Sequence, residues 1–396
     1  MGRSAVARMI LVIRLIEDNM EHFEVGECVL PGDMVFPGRV LQGAHCLRQF
    51  AGVAHSFGRR GFVLYSRSAK SSGALDVMLG QGKTGRSVLP WRYSGGEPTL
   101  DQVEDVLQVA RGQGAEWIAG IGGGSALDCA KSVAGLLHAP GAVSDYHGGR
   151  SIDTVGVPFL AVPTTAGSGS EATMVAVLSD PENKFKRSIR HPSFVARAVF
   201  LDPCTLIGMP ATQIAHSGMD ALVQAVEAFC SGKRTRVTDS FARESLGLIL
   251  QYLERFYADS LDRDAAHGML VGSYLAGLAL SGARLGVGHG LAHPVGMQSG
   301  LGHGLVCAMA LPHILQFNRG ADPVRFRELD AMFGGRVDQR VGELLCALHI
   351  PANTGLPYPL EAEAMIDEVL ASGSTEANPR PVSREDAEML LHTLYR

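Results

Sequence analysis

Along the first two hundred residues the apolar positions fall into short compact runs separated by longer amphipathic stretches. Residues 61–65 (GFVLY), 116–121 (EWIAGI), 159–163 (FLAVP) and 198–202 (AVFLD) have the length and continuity of buried strands. Residues 100–113 set Leu100, Val103, Val106, Leu107 and Ala110 on one helical face, with Thr99 or Asp101 available as the cap. Residues 126–137 continue the alternation as a second helix. Strands that alternate with helices predict a parallel sheet with helices on both faces. Beyond Asp202 and Pro203 the β-branched runs stop. Helical periodicity takes over at 211–231, 237–257, 263–282, 289–318 and 338–349. The change predicts an α/β domain over 1–205 and a helical domain over 206–396, with a cleft between them as the favoured place for a ligand. No internal repeat or low-complexity linker interrupts the pattern.

The apolar run 9–13 is broken by Arg14, Glu17 and Asp18, too short for a membrane span or signal-peptide core. Residues 1–30 are expected to be an added strand or a loose arm. With 396 residues, 46% hydrophobic and 19% charged, the chain has an ordinary globular enzyme composition. A net charge of −5 argues against a broad basic face for nucleic acid. The seven cysteines are scattered, with no CxxC pair, which fits a reducing cytoplasm better than a disulfide framework. A homo-oligomer, in its simplest form a symmetric dimer, is the expected assembly.

Two glycine-rich loops and one histidine cluster carry the candidate chemistry. GGGSALDCAK (residues 122–131) follows a strand and opens a helix. Gly122, Gly123 and Gly124 allow close backbone approach, and the free N–H groups at the helix start suit a phosphate. Taken alone, the loop fits a tight turn equally well, because it lacks the GxGxxG spacing. The second loop, PTTAGSGSE (163–171), also follows a strand, and offers hydroxyls at Thr164, Thr165, Ser168 and Ser170. Two such loops at the ends of neighbouring strands point to a bound nucleotide. Downstream, His289, His293 and His303 fall in a fifteen-residue window, and Asp220 lies in SGMDALVQAVE. One carboxylate and two or three imidazoles suit a divalent first-row metal that keeps an open position.

Together these segments resemble the iron-containing (group III) alcohol dehydrogenase family over roughly residues 35–396. The shared motifs are GGGSxxDxAK at 122–131, PTTAGSGSEAT at 163–173, GMDAL at 218–222, the HxxxH and HG pattern of His289, His293 and His303, and NPRP at 378–381. The resemblance implies a Rossmann-like N-terminal domain binding NAD(P)H and an all-α C-terminal domain holding one divalent metal. It places Gly123, Gly124, Ser125, Asp128, Thr164, Thr165 and Lys186 around the cofactor, to which the loops themselves add Gly122 and Ser168 and the end of strand 61–65 adds Ser66. Asp220, His289 and His303 become metal ligands, with His293 near the nicotinamide and substrate. Fe²⁺ is the expected ion and Zn²⁺ the second. The activity implied is hydride transfer between the nicotinamide and a small alcohol or aldehyde.

Three positions depart from the family pattern. Gln224 stands where the family has a fourth ligand, a histidine one helical turn after Asp220; it shares Asp220's helix face but is the weaker donor. Arg284 precedes His289 by five residues, where many relatives have a small residue. A guanidinium there suits an anionic substrate, and with Gln224 it suggests the phosphonoacetaldehyde-reductase-like members. Ser66 replaces the acidic residue of NAD-preferring relatives, and with Arg67 or Lys70 nearby NADP is expected to be tolerated. The competing readings on the same fold are a hydroxyacid-oxoacid transhydrogenase and a lyase of the dehydroquinate synthase type. A non-catalytic relative with a damaged metal site is the alternative of another class.

Overall fold

The computed structural model describes residues 28–80, 87–183 and 185–395; the run at 9–13 and most of the expected N-terminal arm lie outside them. Its centre is a six-stranded parallel sheet. The strands are β1 (Val40–Gln42), β2 (Arg60–Tyr65), β3 (Ser87–Arg92), β4 (Trp117–Gly122), β5 (Phe159–Pro163) and β8 (Ala198–Leu201), in the order β1-β8-β5-β4-β2-β3. β4 and β5 are buried along their whole length, which is why they are continuously apolar. Period-two alternation sorts the side chains of β2 and β4 between two cores. Phe62, Leu64 and Ile118 join one face, and Val63, Trp117, Ala119 and Ile121 the other.

Helix α1 (Leu100–Gln113) buries Val103, Val106, Leu107 and Ala110, as its pattern predicts. Thr99 is the cap: its Oγ1 accepts from the Gln102 amide at 3.2 Å, and Gln102 Oε1 accepts from the Thr99 amide at 3.1 Å. Helix α2 (Gly124–Leu136) starts two residues earlier than its apolar pattern suggests, inside the glycine loop itself.

Two strands escape the apolar pattern and form a separate antiparallel hairpin, β6 (Val175–Asp180) with β7 (Phe185–Arg190). β3 escapes it too, being an edge strand that carries Pro90, which central strands exclude.

Past Leu201 the long elements are helical: α3 (Ala211–Cys230), α4 (Arg236–Ala258), α5 (Arg263–Ala283), α6 (Val287–Ser299) and α7 (His303–Asn318). They are followed by α8 (Pro323–Met332), α9 (Val337–Ala347), α10 (Ala362–Ala371) and α11 (Arg384–Leu394). The single helix expected over 289–318 is two helices. Gly300, at φ +71, ends α6 in the left-handed conformation, and α7 restarts after Gly302. A second break separates α5 from α6, whose axes differ by 107°. Arg284 makes that turn at φ 62, ψ −165, a backbone region that belongs to glycine. Among the described residues no single helix is long and apolar enough to cross a membrane.

Candidate active site

The parallel strands β2, β4 and β5 lie side by side, so the segments leaving their C-terminal ends meet at one sheet edge. The Ser66 amide donates to the Ile121 carbonyl, and the Thr164 amide to the Gly122 carbonyl, both at 2.9 Å. That ladder sets Ser66, the glycine loop and the threonine loop in a row. The loops then interlock. A Cβ on Gly124 would sit 2.5 Å from Ser168 Oγ, and one on Gly122 would sit 2.7 Å from the Ala126 methyl. Gly124 is therefore required first by loop-on-loop packing. Gly123, Gly124 and Ser125 open α2 and face a cleft of about 1940 Å³.

Each expected cofactor residue has a definite place. Ser66, Thr165, Ser168, Asp128 and Lys186 line the cleft, whereas Gly122 and Thr164 stand behind it. Thr164 is buried and shares a hydrogen bond with Ser68 at 3.2 Å. Ser66 caps the short helix that follows it, accepting from the Ala69 amide. The Asp128 carboxylate is already engaged: it accepts from Ser170 Oγ at 2.5 Å and from the Val177 amide at 3.0 Å. The buried Lys131 Nζ donates to the carbonyls of Ser170 at 2.5 Å and Val175 at 2.9 Å. Asp128 and Lys131 thus bind the threonine loop and the β6–β7 hairpin to α2. The hairpin brings Lys186 into the cleft, where it pairs with Glu97 at 2.5 Å. Arg67 is exposed and lines the cleft, while Lys70 pairs with Asp76 at 2.9 Å.

Across the cleft, three helices converge. Asp220 and Gln224 project from α3, His289 from the N-terminal turn of α6, and His303 from the first position of α7. His289 Nε2 is 3.6 Å and His303 Nε2 3.9 Å from Asp220 Oδ1. Gly304 makes this convergence possible, since a Cβ there would lie 2.4 Å from the His216 carbonyl of α3. Asp220 Oδ1, Gln224 Oε1 and His289 Nε2 are buried, and among the described residues none has a hydrogen-bond partner. Orphaned buried donors and acceptors of this kind are costly unless something else satisfies them. A carboxylate, an amide oxygen and two imidazoles match a divalent ion, so the residues fit the metal that the motifs imply.

Two participants were not legible in the motifs. Glu227, one turn beyond Gln224 on the same face of α3, accepts from His289 Nδ1 at 2.6 Å. It also accepts from the amides of Gly286 at 3.0 Å and Gly288 at 2.7 Å. One carboxylate therefore orients the His289 ring and satisfies the start of α6. Asn378, from the late NPRP segment, completes that start by accepting from the Val287 amide at 3.2 Å. The polar stripe of Asp220, Gln224 and Glu227 on an otherwise apolar helix was the available signal. The other participant is Cys307, fully buried one turn after His303, with Sγ 3.6 Å from His303 Nε2.

His293 follows His289 by one turn, and its ring centroid is 5.2 Å from that of His303. Burial, reinforced by the charges of Lys186 and His289, pushes its pKa down to about 3. Burial likewise holds His303 well below the usual imidazole range, so both rings are neutral at pH 7. Arg284 lines the cleft but is not buried: its side chain is 46% exposed and pairs with Glu376 at 3.0 Å. An unpaired buried charge, the sequence-based argument for an anionic substrate, is thus absent at Arg284.

The family comparison agrees with this geometry. The pattern described as "Iron-containing alcohol dehydrogenase" matches residues 37–203, and "Fe-containing alcohol dehydrogenase family, C-terminal" matches residues 214–395. The chain belongs to the iron-containing alcohol dehydrogenase family. This dehydrogenase is 34% identical over 309 residues to the NAD-dependent methanol dehydrogenase of Bacillus methanolicus, covering 74% of this chain and 81% of that protein. It is 30% identical over 318 residues to the lactaldehyde reductase of Escherichia coli K12, covering 75% and 82%. Among solved structures, a 1,3-propanediol oxidoreductase superposes with a TM-score of 0.87 at 26% identity, covering 92% of this chain and 99% of that one. The alcohol dehydrogenase of Oenococcus oeni superposes with a TM-score of 0.86 at 27% identity, covering 92% and 100%. The protein is accordingly a metal-dependent, nicotinamide-linked oxidoreductase of alcohols and aldehydes.

Proposed function

We propose that this dehydrogenase interconverts a small alcohol and its aldehyde in the cleft between sheet edge and helices. Asp220, His289 and His303 hold the ion there, with Gln224 as a weak fourth donor. The observation that carries this reading is the set of orphaned buried atoms on Asp220, Gln224 and His289, brought together from two helices, with His303 Nε2 added from a third. A divalent ion, Fe²⁺ by family and Zn²⁺ as the second choice, supplies Lewis acidity that eases removal of an alcohol proton and makes a carbonyl more electrophilic. A nicotinamide bound against the glycine and threonine loops would supply the hydride acceptor or donor.

The chain's own residues do the rest. Glu227 fixes the His289 ring with Nε2 directed toward Asp220. His293, which lines the cleft beside His303, is the proposed relay for the proton that an alcohol loses and an aldehyde regains. The amides of Gly124 and Ser125, with the α2 dipole behind them, take the cofactor diphosphate. Ser66, Thr164, Thr165 and Ser168 border the ribose. Asp128 works indirectly, by anchoring the hairpin that carries Lys186. With no carboxylate at position 66 and Arg67 at the cleft, NADPH is accepted beside NADH. The catalytic unit is a homo-oligomer.

One observation favours an anionic substrate over a neutral one. Arg190 lines the cleft near Arg284 and has no carboxylate partner among the described residues. Arg190 is exposed to the cleft; partial desolvation, then the charge of Arg284, lowers its pKa. Two guanidiniums facing one space suit a carboxylate, sulfonate or phosphonate terminus. The test is a panel of neutral and anionic aldehydes of equal length, assayed with NADH and NADPH on enzyme of measured metal content. Anionic aldehydes should have the higher kcat/KM, and Arg190→Ala should lose about tenfold to a hundredfold on them alone. Equal loss on both classes removes the anion arm. No turnover of any aldehyde by metal-replete enzyme removes the reductase reading.

A further inference from the structure

The metal centre drawn from Asp220, His289 and His303 is one strong donor short, because the amide oxygen of Gln224 is a weak ligand. The structure supplies a replacement from the opposite helix. Asp220 and Gln224 form a pair one turn apart on α3; His303 and Cys307 form the matching pair on α7. One donor atom from each of Asp220, His289, His303 and Cys307 lies within 4.8 Å of all the others. Three of those separations are 3.6 Å, 3.9 Å and 3.6 Å: His289 to Asp220, His303 to Asp220, and Cys307 to His303. Zinc bonds of about 2.0–2.3 Å in a tetrahedron put neighbouring ligands roughly 3.3–3.8 Å apart.

We infer that the Cys307 thiolate is a metal ligand of this enzyme, supplying the strong fourth donor that the weaker Gln224 amide does not. This rests on the metal-centre reading above and deepens it. On metal uptake the Cys307 S–H bond gives way to a sulfur–metal bond, and the proton leaves to solvent. Asp220, His289, His303 and Cys307 would then be the four strong protein donors to the ion. A soft sulfur donor in the set moves selectivity away from Fe²⁺ and toward Zn²⁺ or Co²⁺. Cys307 is suited to this and the other described cysteines are not. Cys28, Cys46, Cys129, Cys204, Cys230 and Cys346 all lie outside the cluster.

Cobalt substitution tests the inference without using activity. Apoprotein loaded with Co²⁺ should show visible d–d bands from bound ion and a near-ultraviolet thiolate-to-cobalt charge-transfer band. Cys307→Ala and Cys307→Ser should keep the d–d bands and lose the charge-transfer band. Gln224→Ala should keep both. Bound cobalt with no charge-transfer band in the wild type, or a band surviving in Cys307→Ala, overturns the thiolate while leaving the metal centre standing. No cobalt uptake by the wild type overturns the metal centre and the thiolate together. Should neither Cys307 variant fold, the wild-type band still decides, because Cys307 is the only described cysteine in the cluster.

Discussion

The two walls of the cleft are built on opposite principles. The cofactor wall is made of backbone: turns after β4 and β5, each a continuous stretch of sequence, packed so tightly that glycine is the residue that fits. The metal wall is made of side chains from three helices, with His289 and Glu227 separated by 62 positions yet 2.6 Å apart. A backbone surface is broken by adding atoms, and a side-chain surface by removing them. The two walls should therefore fail independently, and substitutions on each side test that.

The largest effect is expected on the metal wall. His289→Ala should abolish stoichiometric metal and lower kcat/KM by more than about a thousandfold, the scale of lost Lewis-acid catalysis. Its circular dichroism and NAD(P)H titration should stay close to wild type. Retained metal with retained activity would remove His289 from the site.

Next comes a carboxyl beneath the cofactor wall. Burial raises Glu171, in the threonine loop, from 4.5 to about 7, against its own backbone amide and the charge of Lys131, which lower it. The folded state then holds this proton more tightly than the unfolded chain does. Its contribution is fully present below about pH 4.5 and is lost as pH rises through 7. The shift converts to at most about 3 kcal/mol. Glu171→Gln should flatten the fall in stability between pH 5 and 8 and exceed wild type at pH 8, as read by denaturant melts. Parallel pH profiles for the two proteins would show that Glu171 is ionised throughout.

The smallest effect is expected at the glycine loop. Gly124→Val forces its side chain against Ser168 and spreads the two loops. Overpacking of about 1–3 kcal/mol corresponds to cofactor binding weakened roughly tenfold to a hundredfold. Metal content should not change. A simultaneous loss of metal would show that the walls are one cooperative unit.

The same contrast explains what could be read before the structure. β2, β4 and β5 were legible because burial on both faces makes a strand continuously apolar. β3, β6 and β7 were not, because edge and hairpin strands tolerate Pro90, Lys186 and Arg187. The helix predicted across 289–318 failed at one left-handed glycine, which apolar periodicity does not register. On the cofactor wall the local motifs named most of the lining. On the proposed metal wall they named Asp220, Gln224, His289 and His303, but not Glu227 or Cys307, which join them only once separate helices meet. Arg284 illustrates the limit from the other side: its type suggested a buried charge, and the structure gives it solvent and Glu376.

Arg284 has a second consequence, which concerns adaptation. A non-glycine residue at φ 62, ψ −165 carries strain of about 1–3 kcal/mol. Drift alone would replace it with glycine, and the backbone would relax. An arginine at the corner between α5 and α6 therefore carries a backbone cost that glycine would not, set against its ion pair with Glu376. Selection for heat resistance alone should erase it early.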